Sequence, residues 1–343
     1  MSVAYFPSQK DGNDQSLLLV KHMEMAAVTG FRAPLVIGDQ LARFSTVRQT
    51  ASGVSDQFEL FGWDDSTHEY ESGEEIVGDP FTYDAANITL DKRLIKPFEL
   101  GQTQQEIWHR KDTLSSLVMG ANRSMSEHRE RRIHTMLVSS ARSSSLTKDS
   151  ISIHTGGSNI ARTGGDQETV YPVTVTGAKR LRDDIYQAAK EMDEAGIPSD
   201  SRTMLLTPHL RNVLFQDTTL FNKDLTNAGH DLVKRSIGEI AGFALLPTTW
   251  LPSTLITAVS TIKDPSSKYQ GDFRYNGATG RPVALFVYTG MDAERPIGTK
   301  VMYPYSSKMW FDDNRDVWKF ASRLREGHGV LNPECIKELR VSA

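Results

Sequence analysis

Hydrophobic positions at helical spacing mark the stretch from Thr103 to Ser143 as the main structural element of the chain. Its apolar residues include Leu114, Ile133 and Leu137, and no proline interrupts it. The spacing predicts one long helix, either continuous or broken once near Lys111–Asp112, where Asp112 can cap the segment that follows. About thirty helical residues give a rod of roughly 45 Å. A rod of this length with one narrow apolar stripe needs a neighbour along its whole length.

The preceding stretch, from Gln40 to Phe98, alternates in a strand-like way and is punctuated by glycines. It has few large apolar residues for its length, and a lone two-stranded hairpin is marginal in water. We therefore expect this hairpin to pack against something outside itself. Its middle carries no lysine or arginine and holds seven acids, which are Asp64, Asp65, Glu69, Glu71, Glu74, Glu75 and Asp79.

The other elements follow the same rules. A polar arm precedes a short helix at 17–29, and the cleanest helix of the chain runs from 178 to 195 and ends at Gly196. Thr207–Pro208 opens a further helix, since proline is favoured at the first helical position. Strands are predicted at 151–154, 170–175, 204–206, 237–246 (as a strand pair or one bent strand), 283–288, 300–303 and 317–324.

Composition narrows the classes of protein. The chain has 343 residues, 38% of them apolar and 24% charged, which is typical of a soluble globular protein with about two domains. A net charge of −4 argues against a dedicated nucleic-acid binder. A single cysteine, Cys335, excludes an intrachain disulfide framework and indicates a reducing compartment. The sequence shows neither a targeting segment nor an apolar run long enough to span a bilayer.

Candidate chemistry is sparse. The sequence lacks a nucleophile elbow, a zinc-binding H-E-x-x-H and a phosphate-binding G-x-x-x-x-G-K-[ST] motif. The glycine-rich run 156–165 lacks the Lys-Ser/Thr ending of a phosphate cradle, which favours a flexible surface loop. For His128 and His134 the pattern favours surface or interface histidines over metal ligands. The residues therefore predict no catalytic site, no cofactor and no metal.

The run Arg129–Arg132 on the long helix is strongly basic. It could contact phosphate backbones, but the pattern favours a solvated face or a protein–protein ion-pair surface, because a bare basic patch carries no base-reading chemistry.

The order of the parts resembles a known family. After the arm, the acidic hairpin and the basic helix, a helix ends at Gly-Ile-Pro, a Thr-Pro turn follows a strand, and the strand IGEIAGF runs into Leu-Pro. This order is similar to that of the major capsid protein of tailed bacteriophages, which has the Hong Kong 97-type shell fold. The closing GHGVLNPE is most like short-tailed members. The likeness covers nearly all of the chain and lies in the order and spacing of its parts.

This resemblance implies an α+β fold with five parts. In chain order they are an N-terminal arm (1–45), an extended β-hairpin loop that lies over a neighbouring subunit (46–99), a peripheral domain with a spine helix at 103–143 (100–198), an axial domain (199–294) and a return to the peripheral domain (295–343).

The resemblance also implies a structural function without catalysis. The subunits would assemble into pentamers and hexamers that form the icosahedral shell around viral double-stranded DNA. The implied partners are other copies, a scaffolding protein, a portal protein and a decoration protein, with packaged DNA held non-specifically and no membrane. Assembly would occur in the host cytoplasm, and the product would be the virion. One branch of the family joins a lysine to an asparagine covalently; no local pattern pairs Lys92 or Lys96 with Asn314, so that activity is not carried over.

Charge complementarity suggests an assembly contact. Our hypothesis is that acids of the hairpin on one subunit face the basic part of the long helix on another. Each exposed pair would contribute only ~0–1 kcal/mol, but a shell repeats it at every contact. The alternative is that the acids only keep a loop soluble. The residues of the hypothesis are Glu71, Glu74, Glu75, Arg129, Arg131 and Arg132.

Three other interpretations are open at this point. An encapsulin-like shell has the same fold but encloses a cargo enzyme instead of a genome. A two-domain hydrolase would have its site around His154 or His209. A DNA-binding protein would use the basic helix and show salt-dependent affinity as a free subunit.

Overall fold

The computed structural model describes the chain in twelve stretches. They are residues 41–49, 53, 55–62, 69–73, 83–90, 93–101, 112–148, 151–217, 239–251, 280–291, 294–315 and 317–342. The predicted helix at 17–29 and the first part of the predicted long helix, 103–111, lie outside them. Among the described helices none is both long and apolar enough to cross a bilayer.

The described residues form five α-helices and fourteen strands. The helices are α1 (Leu41–Phe44), α2 (Asp112–Ala141), α3 (Gln167–Val170), α4 (Val175–Glu194) and α5 (Pro208–Leu214). The strands are β1 (Ser45–Gln49), β2 (Ser55–Phe61), β3 (Tyr83–Thr89), β4 (Leu94–Gly101), β5 (Leu146–Lys148), β6 (Ile151–His154), β7 (Ser158–Thr163), β8 (Arg202–Leu206), β9 (Glu239–Ile240), β10 (Phe243–Pro247), β11 (Arg281–Tyr288), β12 (Ile297–Asp312), β13 (Val317–Val330) and β14 (Ile336–Ser342).

The chain divides into two compact units. The larger comprises residues 35–94, 126–305 and 324–343, and the smaller comprises 1–34, 95–125 and 306–323. In the smaller unit, Ser322 donates a hydrogen bond to Asn122 Oδ1 at 2.7 Å, and Lys319 pairs with Asp312.

A six-stranded mixed sheet forms the centre of the larger unit. Its strand order is β7-β14-β11-β8-β10-β9. The central strand β8 pairs antiparallel with β11 and parallel with β10. All five residues of β8 are buried, which agrees with the continuous apolar run in the sequence and with a strand covered on both faces.

Helices α4 and α5 cover one face of this sheet. Leu181, Ile185 and Met192 of α4 pack with Met204 and Phe286 of the sheet in one hydrophobic core. The helical spacing in the sequence predicts this face, since apolar residues three and four apart share one side of a helix. The prediction of a helix ending at Gly196 is confirmed, because α4 ends at Glu194 and Gly196 adopts φ +72°.

The starts of α4 and α5 are set by threonine caps. The Thr174 hydroxyl accepts a hydrogen bond from the Gly177 N–H at 3.3 Å, so α4 begins at Val175. The strand predicted at 170–175 is therefore wrong: residues 167–170 are helical and the chain turns into the cap at Thr174. Thr207 caps α5, with Pro208 at the first helical position, as predicted.

The other face of the sheet packs against the last turns of α2. Alternate residues of β8 and β11 point to opposite faces, so Leu205 and Leu285 contact this second core while their neighbours belong to the first. Ile133 and Leu137 of α2 and Phe44 of α1 complete the second core.

Helix α2 spans 30 residues, and the prediction of one long helix is confirmed over this range. The prediction of a narrow apolar stripe is wrong for its final turns, where each residue from 132 to 142 is buried. Other elements enclose these turns. Ser140 donates to the Pro296 carbonyl at 3.2 Å, and an added Cβ on Gly157 would lie 2.4 Å from the Ala141 carbonyl oxygen.

The glycine-rich run 156–165 is not a surface loop, as its composition suggested. It forms β7, the edge strand of the large sheet, and pairs in parallel with β14. The remaining strands form a four-stranded sheet of order β1-β12-β13-β4 and two separate hairpins, β2/β3 and β5/β6.

Candidate assembly interface

The β2/β3 hairpin is anchored by a small hydrophobic core at its base. Phe58 and Leu60 on β2 and Ile88 on β3 are buried together with Ile153 and Leu331, which belong to other parts of the larger unit. The prediction that the hairpin packs against something outside itself is confirmed by these two contacts. Burial of three large apolar residues contributes several kcal/mol to holding the base in place, at about 1.5–3 kcal/mol each.

Two glycines of β13 allow the hairpin to approach closely. A Cβ on Gly327 would lie 2.1 Å from the Thr89 carbonyl oxygen, and one on Gly329 would lie 2.7 Å from a side-chain carbon of Ile88. Real Cβ atoms do not approach other atoms so closely, so any larger residue would displace β3. The Gly-His-Gly of the closing motif therefore forms the seat of the hairpin.

Two cations hold the first strand of the hairpin by its backbone. Lys300 on β12 is buried and donates to the Ser55 carbonyl at 2.8 Å. Arg48 on β1 donates to the Gln57 carbonyl at 2.8 Å and stacks over the ring of Phe58 at 4.4 Å. Because these bonds engage carbonyls of the backbone, they fix the strand itself and not only one side chain.

A polar network continues from this base toward helix α2. Ser45 and Thr299 share a 2.6 Å hydrogen bond, and the Thr299 hydroxyl lies 2.9 Å from His328 Nδ1. His328 Nε2 lies 3.3 Å from the Glu326 carboxylate, which accepts a two-oxygen contact from Arg129 Nε at 2.9 and 3.0 Å. This chain of contacts connects α2 to the sheet on which the hairpin rests.

Charge and burial shift two groups of this region. Burial would raise the pKa of Glu326, but the hydrogen bond from His328 and the nearby charges of His328, Arg129 and Arg132 outweigh it and lower the pKa. Burial, followed by the charges of Arg132 and Arg131, lowers the pKa of His128 to about 4. His128 Nε2 has no hydrogen-bond partner among the described residues. The network therefore holds an ionised Glu326 beside a neutral His128 at pH 7.

The composition of the basic run of α2 suggested a solvated face, but part of this run is buried. Glu130 and Arg132 are buried, so that interpretation is wrong for these two residues. Arg129 pairs with Glu326 of the same chain, and the half-buried Arg131 stacks over the ring of Trp250 at 5.1 Å. The run thus contributes to packing inside the larger unit.

The acidic side of the hypothesised contact is only partly described. Glu71 is exposed, whereas Glu74 and Glu75 lie outside the described residues. The hypothesis concerns two different subunits, and a single chain does not test it. It stays a prediction.

Sequence reasoning missed an exposed aromatic pair on the hairpin. Phe61 and Tyr83 lie directly opposite each other across β2 and β3, and 51% and 60% of their surfaces are exposed. Tyr70, farther along the same segment, is also exposed. The alternation of β2 is the signal that could have revealed this pair. Phe58 and Leu60 face the core, so Phe61 faces the opposite side if the strand continues to that residue. Glu326, His328 and Lys300 were missed for lack of any local pattern.

The histidines of the hydrolase interpretation contact backbone carbonyls. His209 Nε2 lies 2.8 Å from the Tyr171 carbonyl, and His154 Nδ1 lies 3.3 Å from the Thr155 carbonyl. Cys335 is buried, and burial raises the pKa of its thiol to about 12. Within the described part of the chain, no group of three metal-binding side chains lies close together.

Neither a family model nor a curated protein matches the sequence. Solved structures do resemble it. A capsid structure of cyanophage P-SCSP1u has a TM-score of 0.73 at 20% identity, covering 99% of this chain and 93% of that one. The mature capsid of bacteriophage PhiM1 gives 0.69 at 12% identity, with coverage of 99% and 92%. The capsid of a native GTA particle gives 0.56 at 12% identity, with coverage of 92% and 94%.

These likenesses extend over almost the whole length of both chains in each of the two phage comparisons. A shared fold at such low identity is held by the order and packing of elements and not by particular residues. The chain therefore has the fold of phage capsid proteins, and the predicted α+β, Hong Kong 97-type shell fold is confirmed.

Proposed function

We propose that this protein is the major capsid protein of a tailed bacteriophage, with a structural and not a catalytic role. Copies would assemble into pentamers and hexamers that form an icosahedral shell around double-stranded DNA. The observation that carries the proposal is the fold, which is shared with a cyanophage capsid over 99% of this chain at a TM-score of 0.73.

The hairpin supports the proposal physically. Its base is held by a hydrophobic core, by two close-approach glycines and by the backbone contacts of Lys300 and Arg48. Beyond that base, Phe61 and Tyr83 expose a large aromatic surface, which is typical of a protein contact and unfavourable in water. A firmly seated hairpin with an exposed aromatic face suits an element that reaches onto a neighbouring subunit.

The division into five parts belongs to this proposal. The arm would be 1–45, the extended loop 46–99, the peripheral domain 100–198 with 295–343, and the axial domain 199–294. The further partners are a scaffolding protein, a portal protein and a decoration protein. Packaged DNA would be held without sequence preference, in agreement with a net charge of −4.

The assembly contact is also part of the proposal. Glu71, Glu74 and Glu75 of one subunit would face the region of Arg129, Arg131 and Arg132 on another. Because Arg132 is buried and Arg129 already neutralises Glu326, the half-exposed Arg131 would supply most of the accessible positive charge. Weak contacts of this kind allow misplaced subunits to leave a growing shell.

The first experiment is electron microscopy of the protein expressed alone and together with the products of its neighbouring genes, with sedimentation to size the species. Closed angular shells that contain nucleic acid are the expected result. Shells that hold a cargo protein instead would favour the encapsulin-like interpretation. A uniform monomer or dimer in the presence of a scaffolding partner would overturn the proposal.

A further inference from the structure

The outer face of helix α4 is largely exposed. Its inner face is buried against the large sheet, whereas Tyr186, at the middle of the outer face, exposes 53% of its surface. Tyrosine combines a large apolar ring with a polar hydroxyl and is enriched at protein interfaces, and here it lies near the centre of a 20-residue helix. The residues of the outer stripe, three or four apart, are Lys179, Asp183, Tyr186, Lys190, Asp193 and Glu194.

The charges of this stripe alternate in a self-complementary order. Counting outward from Tyr186, Asp183 lies three residues before it and Lys190 four residues after it; Lys179 lies seven before it and Asp193 seven after it. Each position on one side thus has a residue of opposite charge at nearly the same distance on the other side. If a second copy of the helix were laid antiparallel and centred on Tyr186, each lysine would face an acid.

The charged side chains are available for such a contact. The side chains of Asp183 and Lys190 are 72% and 73% exposed, and those of Asp193 and Glu194 are 62% and 63% exposed. A shallow groove of about 600 Å³ lies beside Tyr186 and is lined by Ala189, Lys190, Asp193, Glu194 and Ala241. In an antiparallel pair, the Tyr186 ring of one copy would lie against this groove of the other.

We propose that α4 forms a two-fold contact with α4 of a second copy of this chain, antiparallel and centred on Tyr186. Such a contact is isologous, so each ion pair occurs twice: Asp183 with Lys190, and Lys179 with the Asp193–Glu194 pair. Antiparallel packing at 8–10 Å between axes brings side chains of facing stripes together over the roughly 21 Å that separate Lys179 from Asp193.

Contacts within one chain compete only weakly with this arrangement. Lys190 Nζ lies 3.5 Å from Glu194 one turn away, and Asp193 accepts a 2.7 Å hydrogen bond from Arg202. Exposed pairs one turn apart on a helix are weak and exchange partners readily. Arg202 is buried and uses one carboxylate oxygen of Asp193, which leaves the exposed Glu194 as the main partner of Lys179.

A symmetric disulfide tests the geometry. The sequence has one native cysteine, Cys335, and it is buried. Tyr186→Cys therefore adds an accessible thiol. Under mild oxidation we expect a covalent dimer that is absent from the wild type and from a matched Gln187→Cys control, which is exposed but lies beside the stripe. Absence of the Tyr186→Cys dimer at subunit concentrations up to those of assembled particles would overturn the proposal.

Charge exchange tests the pairing. Asp183→Lys and Lys190→Asp should each reduce the yield of the Tyr186→Cys disulfide at least tenfold, because each places like charges opposite one another twice. The double variant Asp183→Lys/Lys190→Asp restores the complementary order and should restore the yield. Equal yields in all four proteins would show that the charges do not align the helices, and the register proposed here would be wrong.

This inference does not depend on the shell function. Closed shells from a variant that cannot form the disulfide would leave the shell proposal intact while the two-fold contact failed. A disulfide-linked dimer without any shells would support the two-fold contact and overturn the shell proposal.

Discussion

Arg142 and Glu338 form an ion pair from which solvent is excluded on both sides, since neither side chain is exposed. Arg142 Nε donates to Glu338 Oε2 at 2.7 Å, and its Nη2 donates to the Gly280 carbonyl at 3.0 Å. Arg142 directly follows α2, and Glu338 lies in the middle of β14. The pair therefore fixes the end of the long helix to the large sheet.

Removing one partner of this pair should be strongly destabilising. In Glu338→Leu the guanidinium of Arg142 is left buried without its counter-charge, and we expect a loss of about 3–5 kcal/mol in the free energy of unfolding. The double variant Arg142→Met/Glu338→Leu buries no charge and should recover part of that loss. Urea unfolding of the free subunit measures both. A single variant within about 1 kcal/mol of wild type would mean that water reaches the pair.

The seat of the hairpin gives a second prediction. Gly327→Ala places a Cβ against the Thr89 carbonyl, so β3 must move and the core around Ile88 must loosen. We expect a loss of about 1–3 kcal/mol, in the range for overpacked sites. The matched control is Gly120→Ala, where the new Cβ meets no described atom within 4 Å beyond the backbone of its own helix. Because Gly120 lies inside α2, alanine there should stabilise by about 0.5–1 kcal/mol. Equal effects of the two changes would show that the hairpin is not seated on β13.

Sequence patterns were sufficient for elements whose burial follows one local rule. The stripe of Leu181, Ile185 and Met192 and the cap at Thr207 involve residues close together in the sequence, so their pattern predicts the structure directly. The order of such elements was also sufficient to predict the fold.

Contacts between distant segments left no such pattern. Glu326 approaches Arg129, 197 positions away in the sequence, and Lys300 approaches Ser55, 245 positions away. Arg132 has the composition of a surface residue, yet it is buried because other elements enclose the last turns of α2. Tertiary packing decides such positions, and a single sequence does not report it.

The contact of Lys300 with the hairpin predicts a local effect. Lys300→Met keeps the apolar stem of the side chain but removes the donor to the Ser55 carbonyl. Hydrogen bonds to charged groups contribute about 1.5–3 kcal/mol, so we expect amide hydrogen exchange in β2 and β3 to accelerate at least tenfold. Exchange in β8 and β11 should stay at the wild-type rate, and Lys308→Met, at an exposed position, serves as the control. Unchanged exchange in the hairpin would exclude Lys300 as its anchor.

Acidification should weaken the fold partly through His128. Its folded pKa is about 4, below the ordinary value of 6.5, so the unfolded state binds more protons between these two pH values. Stability contributed by this group is therefore complete above pH 6.5 and is lost as the pH falls toward 4. Thermal unfolding from pH 7 to 4 should show a smaller loss of Tm in His128→Gln than in wild type or in His209→Gln. Parallel curves for the three proteins would contradict the assignment.

Loss of the Glu326 charge belongs to a lower range of pH, because the pKa of that carboxylate is lowered from its ordinary 4.5. Its contribution is present above pH 4.5 and is lost below it. Because the His128 experiment ends at pH 4, most of the effect of protonating Glu326 lies below its range, and the effect of His128 is measured largely by itself.

The charge contact between subunits is the prediction closest to assembly. Reversing the hairpin acids with Glu74→Lys/Glu75→Lys should impair shell formation, because the basic region around Arg131 would then meet like charge at each repeated contact. The subunit itself should stay folded, with an unchanged Tm, since these residues precede the anchored strand β3 and the described core at the base of the hairpin consists of apolar side chains. Asp200→Lys/Asp313→Lys, at two exposed positions, controls for the same change of net charge, since each acid-to-lysine change adds the same charge. A converse change, Arg131→Glu, should partly restore assembly when combined with the double reversal. Shells of normal yield and size from the Glu74→Lys/Glu75→Lys protein would mean that the acids serve only to keep the hairpin soluble.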